Sequence, residues 1–108
     1  MGEGTGASRR WQVKDGKADE FIQRWSDWLQ RTSQNIQGFR SARLLRAEDD
    51  PQRFTSVSEW HDEASRNAWQ ASPGYREGFE SLGELCDEFM GGNFAVAAVF
   101  TGPAADRS

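Results

Sequence analysis

Apolar residues recur along this chain with two different periods, and the points where the period changes divide it into elements. Trp11 and Val13 alternate with Arg10, Gln12 and Lys14, a period of two that predicts a first strand ended by the Asp15-Gly16 turn. From Ala18 to Thr32 the apolar positions are Phe21, Ile22, Trp25, Trp28 and Leu29, which fall on one face of an amphipathic helix. Gly38 releases a second strand, Phe39 to Ala47, in which Arg40, Ala42, Leu44 and Arg46 oppose Phe39, Ser41, Arg43 and Leu45. Glu48-Asp49-Asp50-Pro51 is a turn, because Asp side chains mimic turn hydrogen bonds and Pro fixes its own φ. The third strand, Arg53 to Trp60, follows so closely that the two form a hairpin, with Phe54, Ser56, Ser58 and Trp60 on one face and Thr55, Val57 and Glu59 on the other.

Two helix starts come next. Asp62 is placed to accept from free backbone N–H groups of a short helix. Ser72-Pro73 repeats the signal, with Ser72 as cap and Pro73 at the first helical position, where a missing N–H does no harm. The second of these helices is predicted to carry Phe79, Leu82, Leu85, Cys86 and Phe89 on one side and to stop at Gly91-Gly92. Phe94 to Phe100, FAVAAVF, has strand length and composition and is predicted to be a last strand buried on both faces.

The predicted order is strand, helix, strand, strand, helix, strand. This is the split βαβ or ferredoxin-like plan, an α+β fold whose antiparallel sheet carries its helices on one face only. The uncovered face calls for a partner, and a second copy closing two sheets into a dimeric α+β barrel is the expected one. The 108 residues suffice for one domain, expected over residues 9–101, with flexible ends at 1–8 and 102–108.

Composition narrows the function. Hydrophobic residues are only 36% of the chain, so seven Phe and five Trp must supply much of the core volume. A formal net charge of −4 argues against a phosphate-neutralising grip on nucleic acid. No run of about 18 apolar residues offers a membrane span, the first residues lack the apolar core of a secretion signal, and cytoplasmic residence is the expectation. The single cysteine, Cys86, excludes an internal disulfide and is expected to be buried and inert.

Three segments carry a family likeness. DGKADEFIQRW, GFRSARLLRAEDDPQRFTSVSEW and AWQASPGYREGF resemble the antibiotic biosynthesis monooxygenase domain, a dimeric α+β barrel family, over about residues 10–101. The shared features are GF opening strand two, P-x-RF opening strand three, a Trp ending it, and a Trp six residues before the Tyr of the SPGY turn. The resemblance implies oxidation of a polycyclic phenol or anthrone by O2 without flavin, haem or metal, because the deprotonated substrate itself passes an electron to O2. It also implies a homodimer acting on a small aromatic substrate. The same scaffold hosts isomerases, cyclases and proteins that only bind or assist, so these stand as alternatives.

The resemblance assigns Trp69 and Tyr75 to the pocket. Indole N–H is a donor only, so Trp69 can hold a substrate or peroxide oxygen but cannot act as a base, whereas Tyr75 can exchange a proton. Both are equally readable as core aromatics. The family pattern has an Asn one turn before the Trp, where this chain has Ser65, and a late Arg where Phe89 falls. The haem-degrading relatives need an axial His where Phe79 stands and an Asn on the first strand near Arg9 or Arg10, and a phenyl ring cannot ligate iron. Trp25, Trp28, Trp60, Phe79 and Phe89 are candidate lining residues. Arg40, if inward-facing, could neutralise a phenolate. His61, the sole histidine, is read as part of a helix start that becomes a proton acceptor if the cavity reaches it.

Overall fold

The computed structural model describes residues 4–103. Four strands and three helices follow in the order β1 (Thr5–Val13), α1 (Ala18–Asn35), β2 (Phe39–Arg46), β3 (Arg53–Trp60), α2 (Glu63–Gln70), α3 (Pro73–Gly83) and β4 (Cys86–Ala95). The strands form one antiparallel sheet in the order β2-β3-β1-β4. This is the ferredoxin-like α+β plan, with β1 reached from β2 only through the α1 crossover.

The local signals act where the sequence places them. Asp62 caps α2 by accepting from the Ser65 amide at 2.8 Å, and Ser72 caps α3 by accepting from Tyr75 at 3.2 Å. Gly38 takes φ +87, a left-handed conformation that favours glycine. Its carbonyl accepts from His61 at 2.6 Å, which ties the start of β2 to the end of β3.

The core lies between the sheet and the helices. Trp11, Val13, Phe54 and Trp60 rise from the central strands β1 and β3, and Phe21, Trp28, Leu29, Trp69 and Leu82 descend from the helices. The strand register puts Phe54, Ser56, Ser58 and Trp60 of β3 opposite Trp11, Arg9, Ala7 and Thr5 of β1, so all share the helix-facing side. Arg66 of α2 is buried and donates to Thr5 Oγ1 at 2.7 Å, and Thr5 in turn donates to the Phe94 carbonyl at 2.9 Å. That chain of bonds seats α2 across the ends of β1 and β4.

Several sequence expectations are corrected. β1 begins at Thr5, so Thr5–Ser8 belong to the sheet and not to a loose terminus. Residues 1–3 and 104–108 of the expected flexible ends lie outside the described residues. α3 ends at Gly83, and β4 is Cys86–Ala95 rather than Phe94–Phe100. Gly91-Gly92 is therefore inside a strand: a Cβ at Gly91 would collide with the backbone carbonyl of Ser8, so glycine permits the close approach of β4 to β1. Val99 and Phe100 of the FAVAAVF run are exposed beyond β4. In β2, a register shift between Phe39 and Ser41 places Phe39 and Ala42 on one side and breaks the predicted alternation at Arg40. Among the described residues no helix is long and apolar enough to cross a membrane.

Candidate functional site

Trp69 and Tyr75 come together because of one serine. The Ser72 hydroxyl donates to the Trp69 carbonyl at 2.6 Å and accepts from the Tyr75 amide, so the α2–α3 junction is a rigid corner. The two rings meet edge to face at 4.7 Å, Trp69 stacks on Trp60 at 4.9 Å, and Trp28 of α1 approaches both Trp69 and Tyr75 within 6 Å. Below this cluster, against β1 and β3, is a cavity of about 30 Å³ lined by Arg9, Trp11, Trp25, Trp28, Trp69 and Tyr75, among others. Above it, between α1 and the α2–α3 corner, is an open cleft of about 200 Å³. Trp28, Trp69 and Tyr75 line both, so they are the wall between them.

Polar groups in this apolar setting are few and unevenly satisfied. Trp11 Nε1 donates to Ser56 Oγ at 3.1 Å and Trp60 Nε1 to Ser58 Oγ at 3.2 Å. By contrast, Trp28 Nε1 and Trp69 Nε1 are buried with no partner in the protein. The Trp28 nitrogen lies against Gly78, whose missing side chain makes room for the indole. Trp69 lines the cavity with its ring, while its Nε1 is itself enclosed by the packing. An unmade bond at a buried donor costs about 1–3 kcal/mol, so both indoles are held in place by the aromatic packing around them.

Arg9 supplies the only charge among the cavity-lining residues. Its Nη2 donates to the Tyr75 phenol oxygen at 3.5 Å, and its guanidinium carbon lies 4.7 Å from the centre of the Phe79 ring and 6.0 Å from that of Trp11. Among the described residues no carboxylate forms an ion pair with it. The arrangement is thus a cation against aromatic faces with a phenol hydroxyl bound to it, beside a small cavity that Trp69 also lines. Such a set can hold an anionic oxygen and pass a proton to or from it.

Residues 6–81 match the sequence pattern of the antibiotic biosynthesis monooxygenase family. The chain belongs to that family. None of the curated proteins matches it in sequence. In fold the chain is similar to SnoaB, a cofactor-independent oxygenase from Streptomyces nogalater, at 20% identity over 93% of this chain and 99% of that one, with a TM-score of 0.82. It is also similar to a conserved protein from Methanosarcina mazei (22% identity, 87% and 93% covered, TM-score 0.77) and to a putative antibiotic biosynthesis monooxygenase from Nitrosomonas europaea (16%, 90% and 93%, TM-score 0.77).

For this family member the structure gathers some of the expected residues and disperses others. Trp25, Trp28, Trp69 and Tyr75 line the cavity. Trp60 is fully buried behind Trp69, a supporting position without access to the cavity. Phe79 stacks parallel to Tyr75 and meets Phe89 edge-on at 5.0 Å. Phe89 sits on β4 opposite Trp11, not on a helix. Ser65 is packed against Gly38, and it engages the Asp62 carboxylate, so it serves the α2 cap and not the cavity. His61 and Arg40 are exposed, and Arg40 extends toward Gly4. Arg9 is the residue that sequence reasoning passed over. Its signal was available: it continues the parity of Trp11 and Val13, a charged residue on the apolar face of its strand.

Proposed function

We propose that this chain is a cofactor-independent monooxygenase that oxidises a polycyclic phenol or anthrone with O2. Membership of the family supports the reaction type, and one observation carries the assignment of the site: Trp69 and the Arg9–Tyr75 pair line one cavity with aromatic walls. In the reaction a ring CH2 of an anthrone becomes C=O, O2 supplies that oxygen, and the second oxygen atom leaves as water. The substrate is first deprotonated to its enolate, which passes one electron to O2. Recombination forms a carbon-bound peroxide, whose O–O bond breaks as water leaves.

Each side chain has one task in this scheme. Arg9 holds the enolate oxygen, a cation already in place where that charge develops. Tyr75 exchanges a proton with the substrate oxygen. Trp69 donates to the peroxide. Trp25, Trp28 and Phe79 present flat faces to the rings. No metal, flavin or haem is assigned a role, and the similar fold of a cofactor-independent oxygenase supports that reading.

The active unit is proposed to be a homodimer. The sheet face opposite the helices carries Leu45 and Met90, both exposed, and exposed Val99 and Phe100 follow β4. These are apolar groups that a second copy would cover.

Dissolved-oxygen measurements with an anthrone, in the presence of a metal chelator and without added flavin, test the reading. One O2 consumed per quinone formed, above the uncatalysed rate, is expected. No uptake above that rate across several polycyclic phenols would sink it.

A further inference from the structure

Two indole N–H groups end on serines of β3 that line the cavity: Trp11 Nε1 donates to Ser56 Oγ and Trp60 Nε1 to Ser58 Oγ. A serine hydroxyl has two lone pairs and one proton to give. Ser56 directs its proton at the Arg9 carbonyl at 3.5 Å. Ser58 has no such outlet: it is only 6% exposed, and among the described residues no acceptor lies within bonding distance of its O–H. An oxygen that already accepts a hydrogen bond is a stronger donor through its own O–H, because the two bonds polarise each other. Ser56 pairs with Arg9 and Ser58 with Ala7, so Ser58 stands further along the cavity floor than the half-buried Arg9, next to the Trp60 indole that stacks on Trp69. A cavity of about 30 Å³ has room for a diatomic molecule and too little for an aromatic ring.

We infer that Ser58 is a catalytic donor to reduced dioxygen: its O–H turns into the cavity and bonds the oxygen atom on which negative charge appears when the enolate passes its electron to O2 and when the carbon-bound peroxide forms. This rests on the reading of the chain as an oxygenase and adds to it the place where O2 is met. The electron comes from the substrate, and Ser58 keeps its proton throughout, supplying a hydrogen bond and no atom. O2 itself is uncharged and a poor acceptor, whereas superoxide and peroxide oxygens are anionic acceptors that a hydroxyl bonds far more strongly. The bond is absent in the ground state and present once charge has moved, so it accelerates turnover without tightening O2 binding. Arg9 and Tyr75, both half-buried, face the ring oxygen, and the Ser58 end receives the small oxidant. Trp60 is a positioning residue acting through Ser58: its indole occupies one lone pair of the hydroxyl and so restricts where the proton points.

Two measurements on the intact protein test this, one of them without turnover. Azide, a small linear anion standing in for superoxide, is titrated while its antisymmetric stretch is followed by infrared spectroscopy. Wild type is expected to show a bound band displaced from that of free azide, and Ser58→Ala to move that band and weaken binding at least about tenfold, the loss of a hydrogen bond to a charged group. In oxygen-consumption kinetics with an anthrone, Ser58→Ala should lower kcat about 10²-fold with KM for O2 unchanged. Ser58→Cys, similar in shape and a weaker donor, should fall between the two, and it decides should Ser58→Ala fail to fold. No bound azide band in wild type, or a band that neither variant moves, overturns the inference. So does an oxidation rate that the variants leave intact, or a loss that appears as a raised KM for O2 with kcat kept, because that reports ground-state binding. The full azide result with no O2 uptake by wild type counts against the oxygenase reading alone, and O2 uptake that Ser58→Ala leaves unchanged counts against this inference alone.

Discussion

Arg9 on β1 and Tyr75 on α3 stand 66 positions apart in sequence, and the guanidinium of one donates to the phenol oxygen of the other at 3.5 Å. That contact joins the sheet to the α2–α3 corner across the cavity, and it brings the one charged residue lining that cavity to a group able to exchange a proton.

Trp69 should matter to chemistry more than to folding. Trp69→Phe keeps an aromatic ring between Trp60 and Tyr75 but removes the N–H. With an anthrone as substrate, the turnover rate is expected to fall about 10²-fold, the usual effect of losing one donor to a developing charge, with KM little altered. Oxygen-consumption kinetics would show it. Full activity in the variant would reduce Trp69 to a wall of the cavity.

Two glycines of α3 should respond to alanine with opposite signs. A Cβ at Gly78 would collide with the Trp28 indole, so Gly78→Ala is expected to cost about 1–3 kcal/mol and to shift Trp28. Gly74 has open space around it and a negative φ, so Gly74→Ala should stabilise by about 0.4–1 kcal/mol. Urea denaturation of both variants, followed by tryptophan fluorescence, measures the pair. Stabilisation by Gly78→Ala would show that the Trp28–Gly78 packing is not tight in solution.

The cap of α2 makes stability pH-dependent in acid. The Asp62 carboxyl is held below its ordinary value of 3.8, first by the Ser65 amide and then by the Ser65 hydroxyl. Asp50 is held down similarly, first by the Gln52 amide and then by Gln12 and Arg53. A lowered folded value means that the unfolded chain takes up protons first as pH falls. The stabilisation is thus complete above about 3.8 and disappears as pH drops through the lower folded value. Asp62→Asn, which keeps a capping oxygen without a titrating one, should show a shallower loss between pH 5 and pH 2 in urea midpoints. An unchanged slope would remove Asp62 from the account.

Cys86 should be silent toward alkylation in the folded protein. Burial, reinforced by Asp87, pushes its thiol up to about 11, leaving almost no thiolate near neutrality. Iodoacetamide at pH 7.5 is expected to label it only after denaturant is added, as mass spectrometry would show. Rapid labelling under native conditions would mean that the α3–β4 junction opens readily.

Reading the chain in one dimension worked where neighbours in sequence are neighbours in space. α1, the β2–β3 hairpin and the two capped helix starts at Asp62 and Ser72 depend on bonds spanning a few residues, and each appears at the expected place. It misled at the C-terminal end. Phe79, Leu82, Leu85, Cys86 and Phe89 have helical spacing, yet the helix stops at Gly83. There the Leu85 carbonyl accepts from the Lys14 amide at 2.8 Å, and β4 begins to pair with β1. The Cys86–Ala95 segment is a strand because β1 offers it a partner, and Gly91 lets the two backbones close up.

The sequence by itself determined the order of elements from α1 to α3 and the family, because local hydrogen bonds, periodicity and motif spacing are written in adjacent positions. Tertiary structure alone decided that Arg9 and not Arg40 enters the cavity, that Ser65 serves the α2 cap, and that Phe89 stands on a strand. These outcomes turn on strand register, one bulge at Arg40 and the contact of β1 with residues more than sixty positions away. Such long-range pairings carry their information in both partners at once, so neither segment read alone displays them.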